Sequence, residues 1–244
     1  MGRGPTVAGR KSVEDAKRGK IFTKLIREIT VATRQGVPDP ALNGRLRAAV
    51  DKALAANMPK DTIERAIKRG SGADGGADMQ ELRYEGYGPA GVALIIECFT
   101  DNPNRTVADV RHLLDRHGGN LGTTGSVAFQ FQRLGELAFE TADDEAAEEK
   151  VLEAALEAGA EDVVNEDGES IVLCAPEDFE SVQQALTEAG LESLHAGVGM
   201  RPDNRIAVQD EAAAETLRDL LDKLDELDDV SEVYHNADLP VDAS

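Results

Sequence analysis

Apolar residues recur at helical spacing in the first part of the chain. The run Asp15–Arg34 carries one apolar stripe, formed by Phe22, Leu25, Ile26 and Ile29. Glycine and proline between residues 35 and 42 interrupt this pattern, and Asn43 can cap a second helix. A third, short helix follows Pro59 and ends at Gly70. The pattern therefore predicts a small bundle of three helices.

The pattern changes after the glycine-rich run 70–78, which lacks apolar side chains to bury and is typical of a linker. From residue 82 onward, short apolar runs predict strands that alternate with amphipathic helices. Residues 134–203 follow the order strand, helix, strand, strand, helix, strand, with Asn165–Gly168 as the turn between the middle strands. This order is the ferredoxin-like arrangement.

A further strand, helix and strand follow in residues 204–240, and they would complete a unit that begins at residue 82. We expect Ser126–Gln132 and Arg205–Gln209 to be strands of this interrupted unit. The predicted fold is α+β and multidomain, with a three-helix domain followed by two ferredoxin-like α+β domains, the third inserted into the second. The expected domains are 1–80, then 81–133 together with 204–240, and the insertion 134–203.

Charge is segregated along the chain. Residues 1–70 hold 16 Lys/Arg against 7 Asp/Glu, whereas residues 134–244 hold 5 against 32. Folding alone does not require this separation. A polyanion would be attracted to one end of the chain and repelled by the other, so the pattern indicates a basic nucleic-acid-binding region on an acidic body.

The first predicted helix concentrates its cations on the side away from the apolar stripe. We call this row the basic ridge, and it consists of Lys17, Lys20, Lys24 and Arg27. Such a row can contact successive backbone phosphates while the apolar stripe anchors the helix. Other cations of the same domain extend the predicted nucleic-acid site, namely Arg18, Arg34, Arg45, Arg47, Lys52, Lys60, Lys68 and Arg69.

Met58 lies in the turn between the second and third helices, next to Pro59. It has two interpretations. A methionine at the tip of a proline-stiffened turn can be an exposed apolar probe, or it can cap the core of the bundle.

The sequence offers no candidate residues for catalysis, no cofactor site and no metal site. His112 and His117 lie about 140° apart on one helix and cannot chelate a metal as an i, i+4 pair would. Cys98 and Cys174 sit in separate apolar runs and are expected to be buried, reduced thiols. The glycine-rich runs Gly86–Gly91 and Gly122–Gly125 lack the helical context of a phosphate cradle or a KH loop, and we interpret both as turns.

Four long motifs resemble the YebC/PmpR family, which includes the mitochondrial translational activator of cytochrome c oxidase. They are Asp15–Ala32, Ala53–Gly70, Tyr84–Arg111 and His117–Phe131. The resemblance implies a cytoplasmic protein with a helical N-terminal domain and two α+β domains. The family's usual opening segment, Gly-His-Ser-Lys-Trp, is replaced here by MGRGPTVAGRKSVE, so contacts made by that segment are not expected to carry over.

Members of the family are generally described as DNA-binding transcriptional regulators, so the resemblance implies the leading hypothesis, a non-enzymatic, DNA-binding transcriptional regulator without a cofactor or a membrane partner. Other members resemble ribosome-associated factors that help with difficult peptide sequences, and the alternative therefore keeps the same basic ridge but directs it to ribosomal RNA or tRNA. A third hypothesis is a scaffold whose acidic domains bind a basic protein partner. An enzyme site assembled from residues far apart in sequence is the least favoured reading.

Overall fold

The structure is a computed structural model that describes residues 7–73 and 78–240, with side chains from Lys17 onward. Residues 74–77 of the predicted linker and residues 1–6 of the atypical start of the chain lie outside these ranges. The helices of the described chain are α1 (Val7–Arg34), α2 (Gly44–Ala55), α3 (Lys60–Gly70), α4 (Pro103–Arg116), α5 (Glu145–Glu157), α6 (Phe179–Glu188) and α7 (Glu211–Asp225). The strands are β1 (Gln80–Tyr87), β2 (Ala93–Thr100), β3 (Asn120–Leu121), β4 (Phe131–Glu140), β5 (Asp162–Glu166), β6 (Glu169–Cys174), β7 (His195–Pro202), β8 (Ile206–Ala207), β9 (Val230–His235) and β10 (Ala237–Asp238). The predicted α+β class is confirmed.

Helices α1 to α3 pack around a common apolar core, as the stripe pattern predicts. The Asn43 side chain caps α2 by accepting the backbone N–H of Leu46 at 3.0 Å. Gly70 ends α3 against α1, where a Cβ atom would lie 2.6 Å from the Thr30 carbonyl oxygen. The buried core residues are Ile29, Ala32, Leu46, Ala49, Ala53, Met58, Ile63 and Ala66.

The described chain forms two compact units. The first unit consists of two segments, one that ends at Val127 and one that begins at Ile206, and the second unit comprises Ala128–Arg205. The first unit contains the helical bundle and an antiparallel sheet in the order β3-β1-β2-β9. Helices α4 and α7 cover one face of this sheet and bury the apolar core between them. Strand β9, which follows the insertion and α7, pairs with β2, as the topology argument expects.

The second unit is a four-stranded sheet in the order β5-β6-β4-β7 with helices α5 and α6. This spatial order and the chain order agree with the predicted ferredoxin-like arrangement. Asp167 and Gly168 have positive φ, 52° and 80°, and they connect Glu166 of β5 to Glu169 of β6, so the φ signature of a type I′ hairpin lies one residue later than the predicted Asn165–Gly168 turn.

Two strand predictions differ from the structure. Ser126–Gln132 is not one strand of the first unit, because Ala128–Gln130 forms a short 3₁₀ turn and Phe131 begins β4 of the second unit. Arg205–Gln209 is extended only at β8, which pairs in parallel with β10 in a separate two-stranded ribbon. In both cases the backbone bonds to a partner outside the main sheet, since the Glu85 side chain accepts the N–H of Val127 and β8 pairs with β10.

Within the described ranges, we find no helix that has both the length and the apolar character needed to cross a membrane.

Candidate nucleic-acid interface

The two halves of α1 have different surroundings. The C-terminal half contributes Ile29 and Ala32 to the bundle core and also packs against β2 and β9 of the first unit's sheet. Residues 17–21 are all exposed, because this stretch of the helix extends past its packing partners. The basic ridge runs along both halves, so its four cations do not share one environment.

The structure corrects the prediction that the whole ridge faces solvent. Lys24 donates from Nζ to Asp225 Oδ1 at 2.6 Å, and Arg27 forms an ion pair with Asp229. The side chains of Lys24 and Arg27 each retain only 17% of their accessible surface. The physical reason is that the face of α1 carrying the ridge continues into the face that packs on the sheet.

Asp229 is the centre of the contact around Arg27. Its side chain is 8% exposed and accepts hydrogen bonds from Arg27, from Arg105 at 2.8 Å and from the Thr106 hydroxyl at 2.8 Å. Arg27 also donates to the Phe99 carbonyl oxygen at 2.9 Å. Burial opposes ionisation of this carboxyl, but the hydrogen bonds from Arg105 and Thr106 and the charge of Arg27 hold the pKa of Asp229 below its ordinary value.

Three further predicted cations also have carboxylate partners. Arg34 pairs with Asp78, and Lys52 donates to Glu28 at 2.9 Å within the bundle. Arg45 contacts both carboxylate oxygens of Glu81, at 2.8 and 3.0 Å, and lies over the Phe99 ring at 5.9 Å from its centroid. The contacts of Arg34 and Arg45 tie α1 and α2 to Asp78, to Glu81 of β1 and to Phe99 of β2.

The exposed cations of the bundle form the remaining candidate site. Lys17 and Lys20 of the ridge make no hydrogen bond or ion pair with any described side chain, and the same holds for Lys60 and Arg69 on α3. Arg18 is exposed and lies over the Phe22 ring at 5.4 Å from its centroid. Lys68 is exposed on α3 as well.

Met58 is buried, with 3% of its surface exposed, and belongs to the bundle core. Its N–H donates to the Ala53 carbonyl at 2.9 Å, which draws the turn back over the end of α2. The interpretation of Met58 as an exposed probe is therefore wrong, and the core interpretation is right.

Of the two runs interpreted as turns, Gly86–Gly91 begins inside β1, where Gly86 pairs with Leu121 of β3, and its close packing partners are Gly119 and Asn120. A Cβ atom at Gly119 would lie 2.3 Å from the Tyr87 carbonyl oxygen, and one at Gly86 would lie 2.6 Å from the Asn120 carbonyl oxygen. The buried Glu85 carboxylate accepts the N–H groups of Gly125 and Val127, both at 2.8 Å. This staple holds the Gly122–Gly125 turn and also removes residue 127 from strand pairing.

The described side chains contain no group of three or more His, Cys, Asp or Glu arranged to hold a metal ion. Cys98 and Cys174 are free and buried, as expected. Burial, with smaller contributions from Asp229 and Glu97, raises the pKa of the Cys98 thiol to about 12, so it stays protonated and unreactive. His117 contacts Asp219 at 2.9 Å and the Leu113 carbonyl at 2.7 Å, which ties α4 to α7.

Sequence reasoning missed the acidic partners of the ridge. The signal that points to them is the acidic run Asp225–Asp229 at the end of α7. Carboxylates are disfavoured at a helix C-terminus, because the helix dipole places partial negative charge there. A run of acids at this position therefore indicates cationic partners elsewhere in the fold.

Comparison with known proteins matches almost the whole chain. Residues 4–73 match the family model described as "TACO1/YebC protein N-terminal domain". Residues 79–237 match the model "TACO1/YebC second and third domain".

Curated relatives and a solved structure extend this match. A "Probable transcriptional regulatory protein" of Xanthomonas campestris pv. campestris is 57% identical over 240 residues, covering 98% of each chain. One of Methylococcus capsulatus with the same description is 57% identical over 234 residues, covering 96% of this chain and 93% of its own. The crystal structure of a conserved hypothetical protein from Aquifex aeolicus has a TM-score of 0.83 at 44% identity, covering 94% of this chain and 93% of that one.

Proposed function

The chain belongs to the TACO1/YebC family, and from that premise we propose that it is a non-enzymatic regulatory protein that binds nucleic acid through the exposed stretch 17–21 of α1. The observation that carries the proposal is the stretch 17–21, where Lys17, Arg18 and Lys20 are exposed on a helix that extends past the bundle. Three cations within two turns suit contacts to backbone phosphates. The names of the curated relatives support a regulatory role in transcription, with DNA as the first candidate ligand.

The acidic remainder of the protein supports binding that is confined to the bundle. The second unit, residues 128–205, holds 20 Asp/Glu against 4 Lys/Arg. A surface with this charge repels phosphate, so it limits nonspecific adhesion along a polyanion. Lys60 and Arg69 on α3 add exposed positive charge to the bundle side.

Replacement of the exposed cations tests the proposal. We expect the triple change Lys17→Gln, Arg18→Gln, Lys20→Gln to weaken binding of a fluorescent DNA duplex of about 20 base pairs in an anisotropy titration. The slope of log affinity against log salt should become flatter by about three, because about one counterion is released per phosphate contact.

A matched control removes three exposed cations elsewhere, by Arg111→Gln, Arg133→Gln and Lys150→Gln. It changes the net charge equally, and we expect it to leave the slope unchanged. Equal losses in both triple variants would reject α1 as the site, because the effect would then reflect net charge alone.

The nature of the nucleic acid is the second step of the test. Crosslinking in intact cells, followed by sequencing of the bound nucleic acid, separates promoter DNA from ribosomal RNA and tRNA. Recovery of promoter DNA supports the transcriptional role, whereas recovery of ribosomal RNA or tRNA would assign the same site to a translation factor. The burial of Met58 leaves that second function without the apolar probe suggested by the sequence.

A further inference from the structure

Lys24 lies between the exposed and the packed halves of the basic ridge. It follows Lys20 by one helical turn and shares its face of α1, so a phosphate chain on Lys17 and Lys20 would reach Lys24 next. In the free protein, however, the Lys24 ammonium is held by Asp225 at 2.6 Å.

Breaking the Lys24–Asp225 ion pair costs little free energy. Asp225 is 76% exposed and has no other partner in the described chain. A single ion pair at the protein surface contributes little to stability, because water solvates the exposed Asp225 carboxylate when the two charges separate. Asp225 is also the last residue of α7, where the helix dipole disfavours a carboxylate.

The neighbouring contact is of the opposite kind. Asp229 is 8% exposed and is bound at once by Arg27, Arg105 and Thr106. Opening this contact would leave a buried carboxylate with fewer partners, which is costly. Arg27 is therefore a structural residue, and the ridge available to a ligand ends at Lys24.

We propose that Lys24 is a further phosphate-binding residue and that Asp225 occupies its ammonium in the free protein, as a built-in competitor of the nucleic acid. This inference rests on the proposed function. Binding at Lys24 requires the Asp225 carboxylate to leave, so Asp225 lowers the affinity for every polyanion and favours ligands that also engage Lys17 and Lys20. The acidic end of α7 therefore favours ligands whose contacts outweigh the loss of the Lys24–Asp225 ion pair.

The change Asp225→Asn tests the competition. We expect it to raise the affinity for the same DNA duplex about two- to fivefold, which corresponds to the small free energy of an exposed ion pair. The salt slope should become steeper by up to one, because a freed Lys24 adds one phosphate contact. The control Asp222→Asn removes the same charge from an exposed position of the same helix, one turn earlier, and should change neither quantity to this extent.

The change Lys24→Gln completes the test as a double-mutant cycle. We expect Lys24→Gln to weaken binding and to abolish the gain from Asp225→Asn. The competition is overturned if the affinity gain from Asp225→Asn persists in the Lys24→Gln protein, or if it equals the gain from Asp222→Asn. In either case the effect of Asp225 is long-range repulsion of the phosphates. If the unaltered protein and every variant fail to bind DNA or RNA at low salt, the proposed function itself fails.

Discussion

Arg27 and Lys17 lie on the same face of one helix, yet only Lys17 is available to a ligand. The difference arises from residues far away in the sequence, since Asp229 is separated from Arg27 by 202 positions. Helical spacing assigns both cations to one ridge, but it carries no information about which part of that ridge a later strand will cover. The charge of a residue was therefore predictable, and its partner was not.

Asp229 should be a stability residue. Replacement by Asn leaves Arg27 and Arg105 without their shared carboxylate, and we expect the free energy of unfolding to fall by about 2 kcal/mol or more. Urea unfolding at neutral pH measures this loss. The control Asp101→Asn removes the other, exposed partner of Arg105 and should cost less than about 0.5 kcal/mol. Equal losses would show that Asp229 is not the centre of the network.

The same carboxylate predicts a dependence of stability on pH. Because the pKa of Asp229 is lower in the folded protein than its ordinary value of 3.8, its contribution is complete above that value. The contribution is lost as the pH falls through the lowered folded pKa. The unaltered protein should therefore lose more stability than Asp229→Asn between about pH 5 and pH 2. Parallel pH profiles for the two proteins would contradict this account.

At the scale of elements, the sequence predicted the features that depend on neighbouring residues, such as helix caps and tight turns. The Asn43 cap of α2 appears where its residue type requires it, and the hairpin turn has Asp167 and Gly168 at its centre, one residue later than predicted. The strand expected at Ser126–Gln132 failed because Glu85 takes the N–H of Val127 by a contact across 42 positions. Propensity and periodicity do not record such a competitor for the backbone.

Two glycines of the first unit are expected to respond differently to replacement by alanine, because one is closely packed and the other is not. Gly119→Ala places a Cβ atom against the Tyr87 carbonyl oxygen, so the end of β1 and the turn before β3 must move apart. We expect a loss of about 1–3 kcal/mol in the free energy of unfolding, measured by urea denaturation.

Gly19→Ala provides the opposite expectation. Gly19 lies in α1 with nothing within 4 Å of its added Cβ atom, and alanine favours the helix over glycine by up to about 1 kcal/mol. Circular dichroism of the full chain should show equal or greater helicity. A loss of stability at Gly19 comparable with that at Gly119 would contradict the exposed placement of this part of α1.

At the scale of the whole molecule, the segregation of charge has two uses. Some of the basic N-terminal residues fasten the bundle to the acidic first-unit sheet, through Arg27, Arg34 and Arg45. The exposed residues remain for a polyanion. The sequence predicted that positive charge is concentrated near the N-terminus and negative charge in the rest of the chain. The structure was needed to show which cations pair with carboxylates of the protein and which stay exposed.

Mapping of the contact on the protein side tests the central claim most directly. The claim is that α1 contacts the phosphate backbone through its exposed stretch 17–21. The complex of the full chain with DNA or RNA can be photo-crosslinked, digested and analysed by mass spectrometry. The account predicts crosslinks on peptides that contain Lys17, Arg18 and Lys20, and none on the acidic unit 128–205. Crosslinks confined to that acidic unit, with the α1 peptides unmodified, would contradict it.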